Sequence, residues 1–582
     1  MDRQRYLFLF SFIISIALLF SAWQKEQAEK ALAVSASSPA TIATASVAAK
    51  SANSIPVVAS PAPATVTTTS TTNGVPVVNS AATPSPALPA APAPHINPER
   101  IKIETDLYIA YVNTLGGVLE SIEFKAHRSS QDKSKLFHYL KQDADHVHIA
   151  QTGLTGQGLP NHNTQYIPSA KSLTLQQNQN EMILTLTPAV PSPGAVIQQQ
   201  WIFHRDSYVI DSAYTLQNKT ALPWVANAYF QLERDNKPPA GQARFVSSFT
   251  GVGVYNEADK YHKLSFEDIH KQKATFNTHP SSGWIGMVEH YFVAAWLVNP
   301  NAHLGTPEFF ARATTADRVA AGLVLTQTIQ PQQQANIRVP LYVGPQEQEK
   351  MALIAPGLDL TVDYGIFTVV AVPIFKFLKL LHGVLGNWGW AILAMTFLLK
   401  LVFFPLNRSS AYSMAKTKLL TPRIEQIRAQ YKEDPVRMQK EIITLYKKEK
   451  VNPAGGCLPI LIQIPIFIAL YWVLLSAVEL RHAPWIGWIQ DLSAADPYYI
   501  LPILYGLTSF IQVKVSPKPA SPTGNESDAL ILQYMPVAFS VMFIFFPSGM
   551  LLYWVLNNTL TILQQWHVNR GIERRGLNVK AA

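Results

Sequence analysis

Cysteine is almost absent from this 582-residue chain, in which Cys457 is the only one. An internal disulfide framework and a cysteine-based zinc site are thereby excluded, so any exported domain must fold by core packing. The five long apolar segments after residue 364 contain no aspartate or glutamate; the nearest carboxylates, Glu479, Asp491 and Asp496, fall in the connections between them. A proton relay or an ion-coupled transporter would ordinarily place a carboxylate inside a span. No P-loop, no HExxH and no GxSxG occurs, which removes the common signatures of nucleotide, zinc-peptidase and serine-hydrolase chemistry. Residues 31–97 lack charge as well, with Lys50 as the only Lys, Arg, Asp or Glu.

What is present is basic charge at the ends of apolar segments. Residues 98–363 carry 21 Lys/Arg against 24 Asp/Glu, whereas 407–452 carry 11 against 5 and the tail 567–582 carries 4 against 1. Under the positive-inside rule this places the 407–452 loop and the C-terminus in the cytoplasm. Topology explains the pattern, so it does not argue for DNA as a partner. Met1-Asp-Arg-Gln-Arg5 followed by apolar Tyr6 to Trp23 reads as an uncleaved transmembrane anchor over residues 1–30, since Ala31-Leu-Ala33 stands too far beyond the apolar run for cleavage. The Ala/Pro/Ser/Thr stretch 31–97 cannot bury enough apolar surface to fold and reads as a flexible tether.

A folded domain follows at 98–345. Ile101, Ile103, Leu107, Ile109 and Tyr111 alternate with Lys102, Glu104 and Asp106, Gly116-Gly117 then turns the chain, and the pattern recurs at Leu173/Leu175, at Met182/Leu184/Leu186 and over Trp201–Ile210. Many short strands with Asn, Gly and Pro turns predict a large β-sandwich. His127, His138, His146 and His148 lack a metal-ligand spacing and read as surface or core residues. In 359–386 an apolar arc of Ile374, Phe377, Leu378, Leu381, Val384 and Leu385 opposes Lys376, Lys379 and His382, which predicts an amphipathic helix on the outer membrane face, starting near Pro373.

The core, 387–566, holds five predicted spans: Trp388–Leu406, Cys457–Val478, Tyr498–Val513, Leu530–Phe546 and Met550–Leu563. Several are shorter than the roughly 20 residues that cross a bilayer upright, as expected where the membrane is locally thin. Between the first two of these, Leu420, Ile424, Ile427 and Tyr431, and then Met438, Ile442, Leu445 and Glu449, repeat at 4-3-4 spacing, with Thr421-Pro422 and Asp434-Pro435 as helix starts. Two short helices should pair as a cytosolic hairpin. Within the spans, Lys400 sits one turn from Thr396 on the same face; Gln463, Ser509 and Gln512 add polar groups, as do Asn557, Asn558, Thr559 and Thr561. Each amide or hydroxyl alone is ordinary interhelical glue, but a cation in hydrocarbon must face protein, water or a headgroup. Together they outline a wet cavity.

Three segments carry a wider resemblance: Asn452-Pro-Ala-Gly-Gly-Cys-Leu-Pro-Ile-Leu-Ile-Gln-Ile-Pro-Ile-Phe-Ile-Ala-Leu-Tyr471, Asp491-Leu-Ser-Ala-Ala-Asp-Pro-Tyr-Tyr-Ile-Leu-Pro502 and Phe546-Pro-Ser-Gly549. They resemble the YidC/Oxa/Alb family of membrane protein insertases in its Gram-negative form, and the whole layout matches. The resemblance implies an α-helical bundle of five core transmembrane helices plus an N-terminal anchor, with a large periplasmic β-super-sandwich. It further implies a non-enzymatic insertase and chaperone of the inner membrane, with both termini cytoplasmic, that works without metal or nucleotide cofactor. Nascent membrane proteins, the Sec translocon, the ribosome, the signal-recognition-particle pathway and the lipid bilayer are its implied partners. By position, Lys400 stands where the family has a groove arginine, and Thr396, Tyr553 and Trp554 fall on groove-lining positions; Trp554 replaces a frequent tyrosine. The rival readings are a transporter or channel, disfavoured by the missing carboxylate, and a tethered sugar-modifying enzyme, which rests on fold analogy alone.

Overall fold

The computed structural model describes residues 97–573 apart from 131, 157, 240–248, 299–306, 450–457, 516–533 and 536. The anchor, all but the last residue of the tether, Cys457, most of Leu530–Phe546 before residue 537, and the tail beyond 573 lie outside them.

Residues 100–345 build two nine-stranded sheets. One runs from Pro307–Thr315 through Arg318–Ile329, Trp224–Asp235, Val147–Thr155, Leu136–Gln142, Val118–Arg128, Tyr108–Asn113 and Arg100–Glu104 to Ser172–Thr174. The other runs from Lys260–Leu264 through Gly251–Asn256, Gly283–Val288, Phe292–Val298, Gln334–Pro345, Val209–Asn218, Ala195–His204 and Glu181–Pro188 to Tyr166–Pro168. Inward residues of both sheets form one core, in which Phe124 stacks on Phe292 at 5.2 Å and Phe230 meets Trp296 edge-on at 5.3 Å. Two polar pairs bridge the sheets: Thr152 with Tyr214 at 2.9 Å, and Tyr139 donating to the Met287 carbonyl at 3.1 Å. Burying such groups without partners would cost several kcal/mol each, so they fix the register of one sheet on the other.

The alternation over 101–111 is not one strand. Thr105 accepts from the Leu107 and Tyr108 amides and turns the chain, and the phase flips: Ile101 and Ile103 are buried, then Tyr108, Ala110 and Val112. Trp201–Ile210 is likewise a hairpin, with Asp206 at φ +49° in its turn. Gly116 is required where it stands, because a Cβ there would meet the His162 carbonyl at 2.1 Å and φ is +80°.

The helical half begins with α1 (Phe266–His270), inserted between strands, and α2 (Gln348–Ile354), which follows the last strand. Next comes α3 (Thr368–Leu385), the one described helix long and apolar enough by itself to cross a membrane. It starts at Thr368 rather than Pro373, which lies inside the helix; the missing N–H orphans only the carbonyl of Val369, an exposed residue in the first turn. The turn just before it meets the end of α8 (Leu458–Ser476), where the Ser476 hydroxyl donates to the Asp363 carbonyl at 3.1 Å. Its last turn meets the start of α4 (Trp388–Val402), where His382 stacks on Trp388 at 4.0 Å. Of the predicted apolar arc, Leu378 is buried against the bundle beside Ala371 and Phe375, whereas Phe377 and Val384 face outward with Leu380.

The predicted span Trp388–Leu406 stops short. α4 ends at Val402, and the chain bends by 58° into α5 (Phe404–Leu419). Pro405 explains the break, since its ring removes the N–H that would bond Leu401 and crowds that carbonyl. The 15-residue α4 is about 22 Å long, below a hydrocarbon core of about 30 Å, and α9 is described over Ile500–Val515. By contrast the last helix is longer than the predicted Met550–Leu563, because α10 (Ser548–Glu573) continues for ten mostly polar residues past Leu563. In the described part of Leu530–Phe546, residues Met542–Phe545 form a 3-10 turn.

The predicted hairpin is α6 (Thr421–Gln430) and α7 (Pro435–Lys448), packed through Leu420, Ile424, Ile442, Leu445 and Tyr446. Asp434 caps α7 by accepting from the Arg437 amide at 3.0 Å. Thr421 does not cap α6; α5, which the polar sequence 407–419 concealed, runs almost directly into it.

Candidate functional site: a polar cleft between the spans

Lys400 lies on the twelfth residue after the outer end of α4, about 18 Å in at helical rise. Its ammonium donates to the Thr561 hydroxyl of α10 at 2.8 Å, and Thr561 in turn donates to the Asn557 carbonyl one turn back at 2.6 Å. The side chain therefore crosses to a neighbouring helix rather than running along its own toward a headgroup. On α8, Gln463 donates to the Asn557 side-chain carbonyl at 3.1 Å and approaches the Tyr553 hydroxyl at 3.4 Å. Thr396 is buried and returns its hydroxyl to the Ile392 carbonyl at 2.7 Å, so its methyl and oxygen form wall rather than a free donor.

These groups line one narrow cleft, walled by Thr396, Leu399, Lys400, Phe403, Asn407, Gln463, Ile466, Tyr553 and Asn557. Of the residues expected there, Lys400, Thr396, Gln463 and Tyr553 come together. Ser509, Gln512 and Trp554 are not on its wall. Ser509 is buried between helices and accepts from Asn558 at 3.0 Å, an interhelical bond. Trp554 points into an aromatic cluster, stacked on Phe467 at 5.0 Å with Phe543 at 4.0 Å, because it sits one position, or 100°, around α10 from Tyr553. Asn407 joins the wall although it follows the helix break, and Asn557 joins it too, with Thr561 one turn further along the same face holding the Lys400 ammonium.

The outer end is closed by hydrogen-bonded loops. The Ser548 amide donates to the Ala494 carbonyl at 2.7 Å and the Gly549 amide to that of Leu492 at 2.9 Å, pinning the start of α10 to the 477–499 connection. Asp496 is buried and accepts from the Tyr498 amide, the Leu501 amide and the Trp488 indole at 2.7–3.1 Å, which caps α9. Gly389 lets α4 approach this plug, since a Cβ would meet the Trp485 ring at 2.3 Å.

Arg481 ties the plug to the sandwich. Its guanidinium lies 4.7 Å from the Phe137 ring and 5.6 Å from that of Phe292, and donates to the Arg128 carbonyl at 2.7 Å. Beside it, burial and the cationic Arg481 push the His127 imidazole down to about 4. His290 reaches the Leu475 carbonyl at the end of α8 at 2.9 Å.

Comparison with known proteins agrees with this division of the chain. The family model described as YidC periplasmic domain matches residues 100–377, and that of the 60Kd inner membrane protein matches 380–575. A membrane protein insertase YidC from Aromatoleum aromaticum is 42% identical over the full length of both chains. Relatives with the same name from Dechloromonas aromatica, 44% identical over 86% of this chain and 92% of its own, and from Nitrosospira multiformis, 39% identical over 99% of each, extend the match.

Proposed function

The chain belongs to the YidC family of membrane protein insertases, and from that premise we propose how its cleft serves insertion. The protein is an inner-membrane insertase with a periplasmic β-sandwich, and insertion is not catalysis. A hydrophilic segment crossing lipid meets a desolvation barrier, and a water-holding cleft that reaches partway from the cytosol shortens the hydrocarbon it has to traverse. The short helix α4 thins the barrier further. Lys400 attracts acidic residues of the translocated segment, while the apolar outer faces of α8 and α10 receive the transmembrane helix. Both termini lie in the cytoplasm, and α6 and α7 recruit the nascent chain from the ribosome or the signal-recognition-particle pathway, with the Sec translocon as an alternate partner. α3 lies along the outer surface of the bilayer, a reading supported by the turn before it resting on the end of α8 and its last turn on the start of α4.

The observation that carries this reading is the Lys400 ammonium, held in a polar cleft by Thr561. Photo-crosslinkers placed at 400 and 463 should capture a stalled nascent membrane protein, and one at 554 should not. Purified chain in liposomes should insert a small single-span protein without passing a solute. Solute flux with no insertion would favour the transporter or channel reading instead.

A further inference from the structure

The 477–499 connection that plugs the outer end of the cleft folds back on itself. The Leu492 amide donates to the Ala483 carbonyl at 3.0 Å, and Asp491 accepts from the His482 amide at 3.1 Å and from the amide and hydroxyl of Ser493 at 2.9 and 2.7 Å. Its ties to α4 and α10 are neutral hydrogen bonds, from Gly549 to the Leu492 carbonyl, from Ser548 to that of Ala494, and from the Asn387 side chain to that of Pro484. Each such bond is worth little net against water.

The only lysine or arginine in the loop is turned the other way, toward the sandwich. Arg481 is 8% exposed, its Nη1 has no hydrogen-bond partner and it forms no ion pair among the described residues. A cation buried without a counter-charge is costly unless other groups replace its water. Here the replacements belong to the sandwich: the Arg128 carbonyl at 2.7 Å, the Ser130 hydroxyl at 3.2 Å, and the rings of Phe137, Tyr291 and Phe292 at 4.7, 6.0 and 5.6 Å. Phe137 stacks on Phe292 at 4.4 Å, and Phe292 stacks on Phe124 in the core between the sheets. From the guanidinium back to the plug the path is equally short. His482 and Ala483 follow it in the chain and bond Asp491 and Leu492, and Leu492 holds Gly549 at the start of α10.

We propose that the sandwich braces the plug: by gripping Arg481 it keeps the 477–499 loop seated on α4 and α10, and so keeps the cleft closed to protons and small ions from the periplasm. This rests on the reading of the cleft as wet from the cytosol, and it gives the periplasmic domain a task apart from handling substrate. Without the grip the loop is held to α4 and α10 by its neutral hydrogen bonds and packing, and it opens more often.

The test uses the full chain in sealed vesicles under a potassium diffusion potential, with a trapped pH-sensitive dye reading proton entry and insertion of a single-span protein followed in parallel. Arg481→Ala is expected to raise proton entry by about tenfold while insertion stays within about twofold of the parent. Phe137→Leu, which removes a ring face from the sandwich and leaves the loop's own sequence intact, is expected to leak as well. Arg205→Ala, at an exposed arginine bonded to carbonyls elsewhere on the sandwich, is expected to match the parent. Gly549→Pro deletes the amide that closes on Leu492 and is expected to leak whatever the sandwich does. Limited proteolysis of each variant checks that the sandwich is folded. Tightness in both Arg481→Ala and Phe137→Leu beside a leaking Gly549→Pro overturns the brace and leaves the seal standing. A leak in Arg481→Ala but not in Phe137→Leu also overturns it, since the arginine would then serve the loop alone. Tightness in all three removes the seal together with the brace.

Discussion

Lys400 and Thr561 share a hydrogen bond of 2.8 Å between α4 and α10, and the threonine proton is committed elsewhere, to the Asn557 carbonyl. The hydroxyl therefore presents only lone pairs to the ammonium. An ammonium has three donors, so two remain for water or an acidic group entering the cleft.

Lys400→Leu should slow insertion of substrates with acidic translocated segments by about tenfold, equivalent to about 1.4 kcal/mol in the barrier, while substrates without such residues change little. Lys400→Arg should stay within about twofold of the parent if charge rather than geometry matters. Thr561→Val keeps the shape and removes the acceptor; it should give an intermediate loss confined to the same substrates. Rates of protease-protected product in vesicles measure all three.

Arg481→Ala should weaken the joint between sandwich and core by about 1–2 kcal/mol, the sum of a lost cation–π contact and a part-buried carbonyl of Arg128 left without its donor. Limited proteolysis should find the joint more open, with the isolated sandwich signal intact. Arg481→Lys should recover only part of this, because an ammonium lacks the planar stack.

The same joint should respond to acid. His127 has its pKa depressed in the folded state to about 4, against 6.5 for an ordinary imidazole, so the unfolded or undocked state binds the proton more tightly. Stability from this group is fully present above about 6.5 and is lost as pH falls toward 4, by up to about 3 kcal/mol. His290 and His482 are depressed by burial as well and act in the same direction. Thermal unfolding from pH 7.5 to 4.5 should show the decline, and His127→Gln should flatten it in part.

In the cytosolic hairpin, Leu445→Asp places a charge against Leu420 and Ile424 and should cost at least about 3 kcal/mol, melting the pair and impairing insertion while the spans stay folded. Val436→Asp, on an exposed position of the same helix, should be near neutral. Circular dichroism and insertion assays on both variants separate a folding defect from a charge effect. Equal insertion by both would make the hairpin dispensable.

The sequence was most legible where one physical signal acted alone. The end of the sandwich near Gly344-Pro345 follows from turn residues, and Lys400 stands out because nothing else charged occurs in its span. It was least legible where two rules competed. Odd-numbered apolar residues continue from Ile101 to Tyr111 straight through a turn, so periodicity alone could not see that Thr105 reverses the chain and shifts the buried phase. Hydropathy tracks lipid contact rather than helix length, which hid both the polar end of α10 and all of α5. The cleft was half visible. Polar residues in apolar helices could be found, but the single-residue rotation that sends Tyr553 to the cleft and Trp554 to Phe467 depends on how α10 is turned against its neighbours.

The plug made by Ser548, Gly549, Leu492 and Ala494 has an electrical consequence. A cleft wet from the cytosol and sealed on the outside is a conductor ending in a thin insulator, so the transmembrane voltage does not fall evenly across 30 Å of hydrocarbon but is concentrated on the sealed layer. A substrate carboxylate drawn up to Lys400 would stand at nearly cytosolic potential, and its passage across the plug alone would draw on most of the roughly 2.3 kcal/mol available per charge at 100 mV. Acidic segments would thus be pulled over a short, steep drop, and the seal that keeps ions from leaking would be the same layer that does the pulling.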